Sequence, residues 1–231
     1  MRTLGIIGGI APESTVDYYR RIIAAYRVAC PDGSYPKVFI NSVDMSQLLA
    51  LAGANDLPAM TEYLVQEVAT LARGGANLAL LASNTPHLVF DAVQKRSEIP
   101  LVSIVEATCA VVQASGLRRV GLLGARFTMQ SSFYADVFKK HGIAVISPEL
   151  AEQDFVHDKY VEELIQGIFL PETRERVLSI IETMRQREGL DAMVLAGTEL
   201  PLLLRTEFVG GIPLLDTAAI HVDAAIKGLL A

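Results

Sequence analysis

The sequence predicts an α/β protein of two pseudo-symmetric domains, each a mostly parallel sheet flanked by helices. Three observations predict it. Short apolar runs of four to seven residues alternate with helical patterns along the chain. Most of these runs lack the polar alternation of a one-sided sheet, so they read as strands buried on both faces. The second half of the chain repeats the first at a nearly constant offset. A chain of 231 residues, 51% hydrophobic and 20% charged, can bury one large core or two smaller ones, and its composition excludes disorder.

Taken in order, strands are expected at Leu4–Ile7, Lys37–Ser42, Leu78–Ala82, Leu101–Ser103, Val120–Leu123, Ala144–Ser147, Met193–Ala196 and Pro213–Leu215. Helices are expected at Ser14–Arg27 with Ser14 as cap, at Pro58–Arg73 after a loop, and at Val105–Gln113, Ser131–Lys140, Asp158–Gly167 and Pro171–Glu188. The repeat aligns Thr3–Gly9 with Arg119–Ala125 at an offset of 121 − 5 = 116, and Tyr18 falls on Tyr134 at the same offset. Gly75–Thr85 matches Gly189–Glu199 at 189 − 75 = 114, and Ile99–Ser103 matches Ile212–Asp216 at 212 − 99 = 113. From this, one domain is expected at 1–100 plus 212–231 and the other at 101–211.

Several function classes drop out. The net charge is −6 and no basic run exists, so nucleic acid is not an expected partner. The N-terminal residues lack the apolar run of a signal peptide, and no stretch reaches the roughly 18 residues of a membrane span, so no membrane partner is expected and the cytoplasm is the expected location. Two cysteines, Cys30 and Cys109, make no disulfide framework and read as packing residues. No His/Cys/Asp/Glu spacing suggests a metal, and the glycine-rich start lacks both the Lys-Ser/Thr of a P-loop and the third glycine of a dinucleotide fingerprint.

Ligands of open α/β sheets sit beyond the carboxyl ends of the strands. Two such units facing each other would place equivalent strand ends around one cleft. Those ends are Gly8-Gly9-Ile10-Ala11-Pro12 and Gly124–Thr128, then Ala82-Ser83-Asn84-Thr85 and Ala196-Gly197-Thr198-Glu199. Backbone amides with Ser, Thr and Asn side chains suit a small carboxylate.

At these residues the chain resembles the aspartate/glutamate racemase family. The resemblance rests on Gly5–Thr15 with Tyr18-Tyr19-Arg20, Ser83–His87, Gly121–Met129, Glu163 with Leu164, Gly197-Thr198-Glu199 and Asp216–His221, in order along the chain. It implies a cofactor-independent enzyme of two pseudo-symmetric domains, often a homodimer, in which two cysteine thiols handle a proton on either side of the substrate Cα. The usual motifs are Cys-Asn-Thr in the first half and Gly-Cys-Thr-Glu in the second. Here they read Ser83-Asn84-Thr85 and Ala196-Gly197-Thr198-Glu199, so both thiol positions are changed. The resemblance thus implies Ser83, Gly197 and Glu199 as the catalytic positions, and Gly9, Ile10, Asn84, Thr85, Thr128 and Thr198 as the substrate-binding ones. Relatives acting on acidic amino acids usually carry a basic residue after the second strand; Met45–Leu57 has none.

Other residues keep two readings each. His87 either packs and caps or tunes the site near neutral pH. Asp216 and His221 share that ambiguity, and Arg126 is a carboxylate anchor or a surface residue. Gly8 and Gly9 serve close ligand approach or a turn. His141 and His157 read as solvent-side. Three functions stay open: a racemase-type isomerase, a lyase or decarboxylase of the same superfamily, and a carboxylate-binding protein without turnover.

Overall fold

The computed structural model describes residues 2–231. Its first sheet has four parallel strands in the order β2-β1-β3-β4, where β1 is Leu4–Gly8, β2 Val38–Ser42, β3 Leu78–Leu81 and β4 Leu101–Val102. The second has the order β6-β5-β7-β9-β8, with β5 Arg119–Gly124, β6 Ala144–Ile146, β7 Ala192–Ala196, β8 Phe208–Val209 and β9 Ile212–Asp216. All of its pairings are parallel except β8 with β9. The central strands β1, β3 and β7 are buried along their whole length, as their unbroken apolar runs require.

The pairing register carries the repeat. Leu4 pairs with Leu78 and Val120 with Ala192, so the relating offsets, 120 − 4 = 116 and 192 − 78 = 114, are those of the sequence repeat. Ala79 pairs with Leu101 and Met193 with Leu214, which reproduces 193 − 79 = 114 and 214 − 101 = 113. Chance similarity between apolar strands would not preserve which residue faces which.

The chain divides into two compact units. One runs up to Ala107 and takes in Ala218–Ala231; the other is Thr108–Thr217. These crossings lie beyond the expected ones. β4 belongs to the first sheet and β9 to the second, because each is the fourth parallel strand its own sheet needs beside β3 or β7. The crossings fall inside the helices α5 (Ile104–Ala114) and α11 (Thr217–Leu230).

The helices of the first unit begin with α1 (Pro12–Ala29), α2 (Met45–Gly53), α3 (Leu57–Arg73) and α4 (Phe90–Arg96). Ser14 is not the cap of α1. Ala11 is, with Pro12 in the first turn, and Ser14 Oγ bonds the carbonyls of Ala11 and Ala82 instead. Helix α2 forms in the segment read as a loop: Asp44 caps it by accepting from the Ser46 N–H, and Leu48 and Ala52 bury its inner face. The second unit holds α6 (Arg126–Gln130), α7 (Phe133–Lys139), α8 (Leu150–Glu162), α9 (Pro171–Glu188) and α10 (Leu200–Leu204). Helix α8 begins eight residues earlier than its apolar pattern suggests (158 − 150), since Glu149 and Glu152 close a reciprocal capping box ahead of it.

Each unit has its own core. Leu4, Ile6, Tyr18, Ile22, Leu80 and Val222 anchor the first, and Leu123, Ile180, Ile181, Met193, Leu195 and Leu203 the second. Equivalent glycines leave room for neighbouring side chains against the sheets. A β-carbon on Gly5 would fall 2.9 Å from Leu71 Cδ1, and one on Gly121 would fall 2.5 Å from Met193 Cε and 2.8 Å from Leu190 Cδ1. Gly121→Ala is therefore expected to destabilise the protein by about 1–3 kcal/mol through overpacking, read as a lower urea midpoint with an unchanged slope. No helix among the described residues is long and apolar enough to cross a membrane.

Candidate functional site at the strand ends

Strand order reverses direction at β1/β3 in the first sheet and at β5/β7 in the second, which makes each pair of carboxyl ends a topological switch point. The candidate segments follow these four strands.

In the first unit, Gly9 takes a left-handed φ of +84° and donates its N–H to Thr15 Oγ1 at 2.8 Å. A β-carbon there would lie 2.5 Å from the Val43 carbonyl, and one on Gly8 would lie 2.5 Å from Thr15 Cγ2. The chain's own packing thus accounts for both glycines. Ile10 and Ala11 are buried, joined by a cis peptide bond. The Ser14 bond to the Ala82 carbonyl, 3.3 Å, ties the first turn of α1 to the residue before Ser83, so Gly9, Ile10 and Ser83 gather at one edge of the sheet. Ser83, Asn84 and Thr85 are all buried and lead into a 3-10 turn, Thr85–Val89.

His87 lies inside that turn with both ring nitrogens committed to backbone. Nδ1 donates to the Ser83 carbonyl at 3.0 Å, and Nε2 accepts the Ile104 N–H at 3.1 Å, which sets the tautomer. Burial, reinforced by His221, lowers its pKa to about 3. It packs flat on Phe90, so the packing reading holds and the tuning reading does not. His221 is used the same way: Nε2 donates to the Val102 carbonyl and Nδ1 accepts from the Tyr18 hydroxyl, each at 2.9 Å, and burial lowers its pKa to about 4. Neither ring is available to take a proton from the Ser83 hydroxyl.

In the second unit, Thr128 stands beside the ends of both β5 and β7: a β-carbon on Gly124 would run into the Ala196 carbonyl oxygen and touch Thr128 Cβ at 3.4 Å. Thr128 is fully buried, and its Oγ1 has no hydrogen-bond partner. Arg126 is spent on α8, where its guanidinium reaches Asp154 at 2.9 Å and Asp158 at 3.7 Å. His157 is half-buried rather than solvent-side, and its Nδ1 accepts the Arg126 N–H. Cys30 caps the C-terminus of α1 and Cys109 is buried within α5, as packing residues.

Thr198 and Glu199 are buried beyond β7. Glu199 Oε2 accepts from the Thr198 hydroxyl at 2.9 Å and from the phenol of Tyr160, on α8. The Tyr160 ring lies against Gly197, where a β-carbon would be 2.6 Å from its Cε2 and 3.2 Å from its Cζ. Sequence reading missed Tyr160. Nothing local marks it; only the fold brings it across 197 − 160 = 37 residues. Asp216 ends β9, and the next residue, Thr217, donates its hydroxyl to the Leu195 carbonyl at 2.8 Å.

The family model described as Asp/Glu/Hydantoin racemase matches residues 7–225. The chain belongs to this family. A broad specificity amino-acid racemase, RacX of Bacillus subtilis (strain 168), is 24% identical over 237 residues, covering 99% of this chain and 98% of that protein. Among solved structures, an aspartate racemase homologue from Pyrococcus horikoshii OT3 superposes with a TM-score of 0.84 at 33% identity over 100% of both chains. The aspartate racemase of Picrophilus torridus reaches 0.80 at 23% identity, over 99% of this chain and 94% of that one, a likeness of fold. In this Asp/Glu/Hydantoin racemase family member, the two motif positions that sequence reading singled out hold a hydroxyl at Ser83 and no side chain at Gly197.

Proposed function

We propose that the protein takes a small amino acid or related carboxylate at these strand ends and acts on it without a cofactor, as a racemase-type isomerase. One observation carries this reading: in both sheets the candidate segments fall at the switch point, in the same strand order and the same register. Each unit brings its own buried polar side chains to its strand ends, Asn84 and Thr85 in the first and Thr128 and Thr198 in the second. Family resemblance extends the proposal to a homodimer.

The test incubates the protein in D2O with the L and D forms of aspartate, glutamate and a set of neutral amino acids, each separately, and follows the Cα–H signal by proton NMR. Loss of that signal for at least one amino acid is the expected result; no exchange across the panel overturns the proposal. Binding without turnover is the second reading, favoured by the engagement of both His87 nitrogens with backbone, which leaves the Ser83 hydroxyl without that base. It predicts a ligand-dependent rise in melting temperature with no exchange.

A further inference from the structure

The side-chain space at position 197 is not empty. The Tyr160 ring stands where a β-carbon would have to go. This phenol comes from another element, α8, and is held by a hydrogen bond to Glu199, two residues beyond Gly197. The same carboxylate oxygen accepts the Thr198 hydroxyl, so it presents acceptor capacity to two donors. Three other titratable groups of this unit are engaged elsewhere. Arg126 is paired with Asp154 and Asp158, His157 accepts a backbone N–H, and Glu163 is bound by Lys159 and Thr173.

We propose that Tyr160 and Glu199 form the proton-handling pair of the second unit, standing in for a side chain at 197. The proposal rests on the reading of the protein as acting at an amino-acid Cα. In the forward step the Cα–H bond breaks and its proton goes to the Tyr160 oxygen, while the phenol's own proton passes to Glu199 Oε2. The electron pair stays on the substrate, delocalised into its carboxylate. The reverse step returns a proton to Cα and restores the phenol and the carboxylate. Nothing is oxidised, and no group other than the proton moves. Relay through the phenol accounts for a geometry that neither residue explains alone: the carboxylate is buried, and the phenol places a transferable proton at the strand end beside Gly197. Burial and the neighbouring carboxylate push the Tyr160 pKa well above its usual value, so the phenol starts protonated.

The experiment compares wild type, Tyr160→Phe and Glu199→Gln in the D2O exchange assay with L- and D-aspartate, L- and D-glutamate and the neutral set, with melting temperature measured with and without each amino acid. Tyr160→Phe keeps the ring in place and removes only the hydroxyl. The expected result is an exchange rate at least about 100-fold below wild type, the lower end of general acid–base contributions, with the ligand-induced melting shift retained. Glu199→Gln is expected to lose exchange similarly and serves as the second variant if Tyr160→Phe fails to fold. Wild-type exchange that persists within threefold in Tyr160→Phe overturns the proton-handling role and leaves the proposed function standing. Absence of exchange in the wild type itself overturns the proposed function, and the pair's role with it.

Discussion

A β-carbon added at position 197 is expected to cost about 1–3 kcal/mol while Tyr160 keeps its ring, and little once the ring is gone. Gly197 does not have the left-handed φ that would penalise any side chain there, so the cost is steric. The added atom would sit 2.6 Å from Tyr160 Cε2 and 3.2 Å from Leu200 Cδ1. The ring cannot swing aside freely, because its hydroxyl is held on Glu199 and its body packs on the second core. Restricting the unfolded chain with alanine offsets only about 0.4–1 kcal/mol. The measurement is a double-mutant cycle in urea with Gly197→Ala, Tyr160→Ala and the pair. Tyr160→Ala destabilises by itself, so the informative quantity is the coupling energy, expected at about 1–3 kcal/mol in favour of the pair. Additive effects would mean that the ring does not hold that space. The same clash bears on restoring two thiols. Ser83→Cys with Gly197→Cys is expected to stay without thiol-based racemisation unless Tyr160 is also truncated, as polarimetry on aspartate and glutamate would show.

Acid is expected to destabilise the first unit as pH falls below the ordinary range of histidine. His87 and His221 are buried and neutral, with pKa values lowered to about 3 and about 4 from an ordinary 6.5. The unfolded chain binds protons at these positions as pH falls through 6.5, and the folded protein does not. Stability is therefore complete above pH 6.5 and is lost as pH falls, at about 1.4 kcal/mol per pH unit for each ring. Together they give about 2.7 kcal/mol per unit between roughly pH 6 and 4, and His87 alone continues below that. Urea unfolding at pH 7, 6, 5 and 4.5 reads the slope. His221→Gln is expected to lower stability at pH 7 by about 1–3 kcal/mol, since Tyr18 and Val102 lose their designated partner, and to remove about half of the slope. An unchanged slope in that variant would show that His221 is already exposed to protons in the folded state.

Much of the fold was legible because the signals are local or periodic. Fully buried parallel strands must be continuously apolar, and every strand expected from such runs is present within a residue or two. The repeat was legible for the same reason, and its offsets return as pairing registers. The elements that escaped are those whose evidence is weak in sequence. β8 is two residues long and exists only by pairing with β9, and α2 depends on one capping aspartate and two buried side chains. Crossings between units were placed too early because an apolar strand does not state which sheet it will join.

By itself, the sequence determined the α/β class, the duplication, and the strand-end segments around Ser83 and Gly197, since burial, periodicity and glycine requirements act along the chain. Tertiary structure alone decided what fills those segments. It committed both ring nitrogens of His87 and of His221, drew Arg126 onto the acids of α8, and set the Tyr160 ring in the space at Gly197 with its hydroxyl donating to Glu199. Hydrogen-bond commitment and side-chain volume are properties of neighbours in space, and residues 37 apart (197 − 160) become neighbours only when helix and sheet pack.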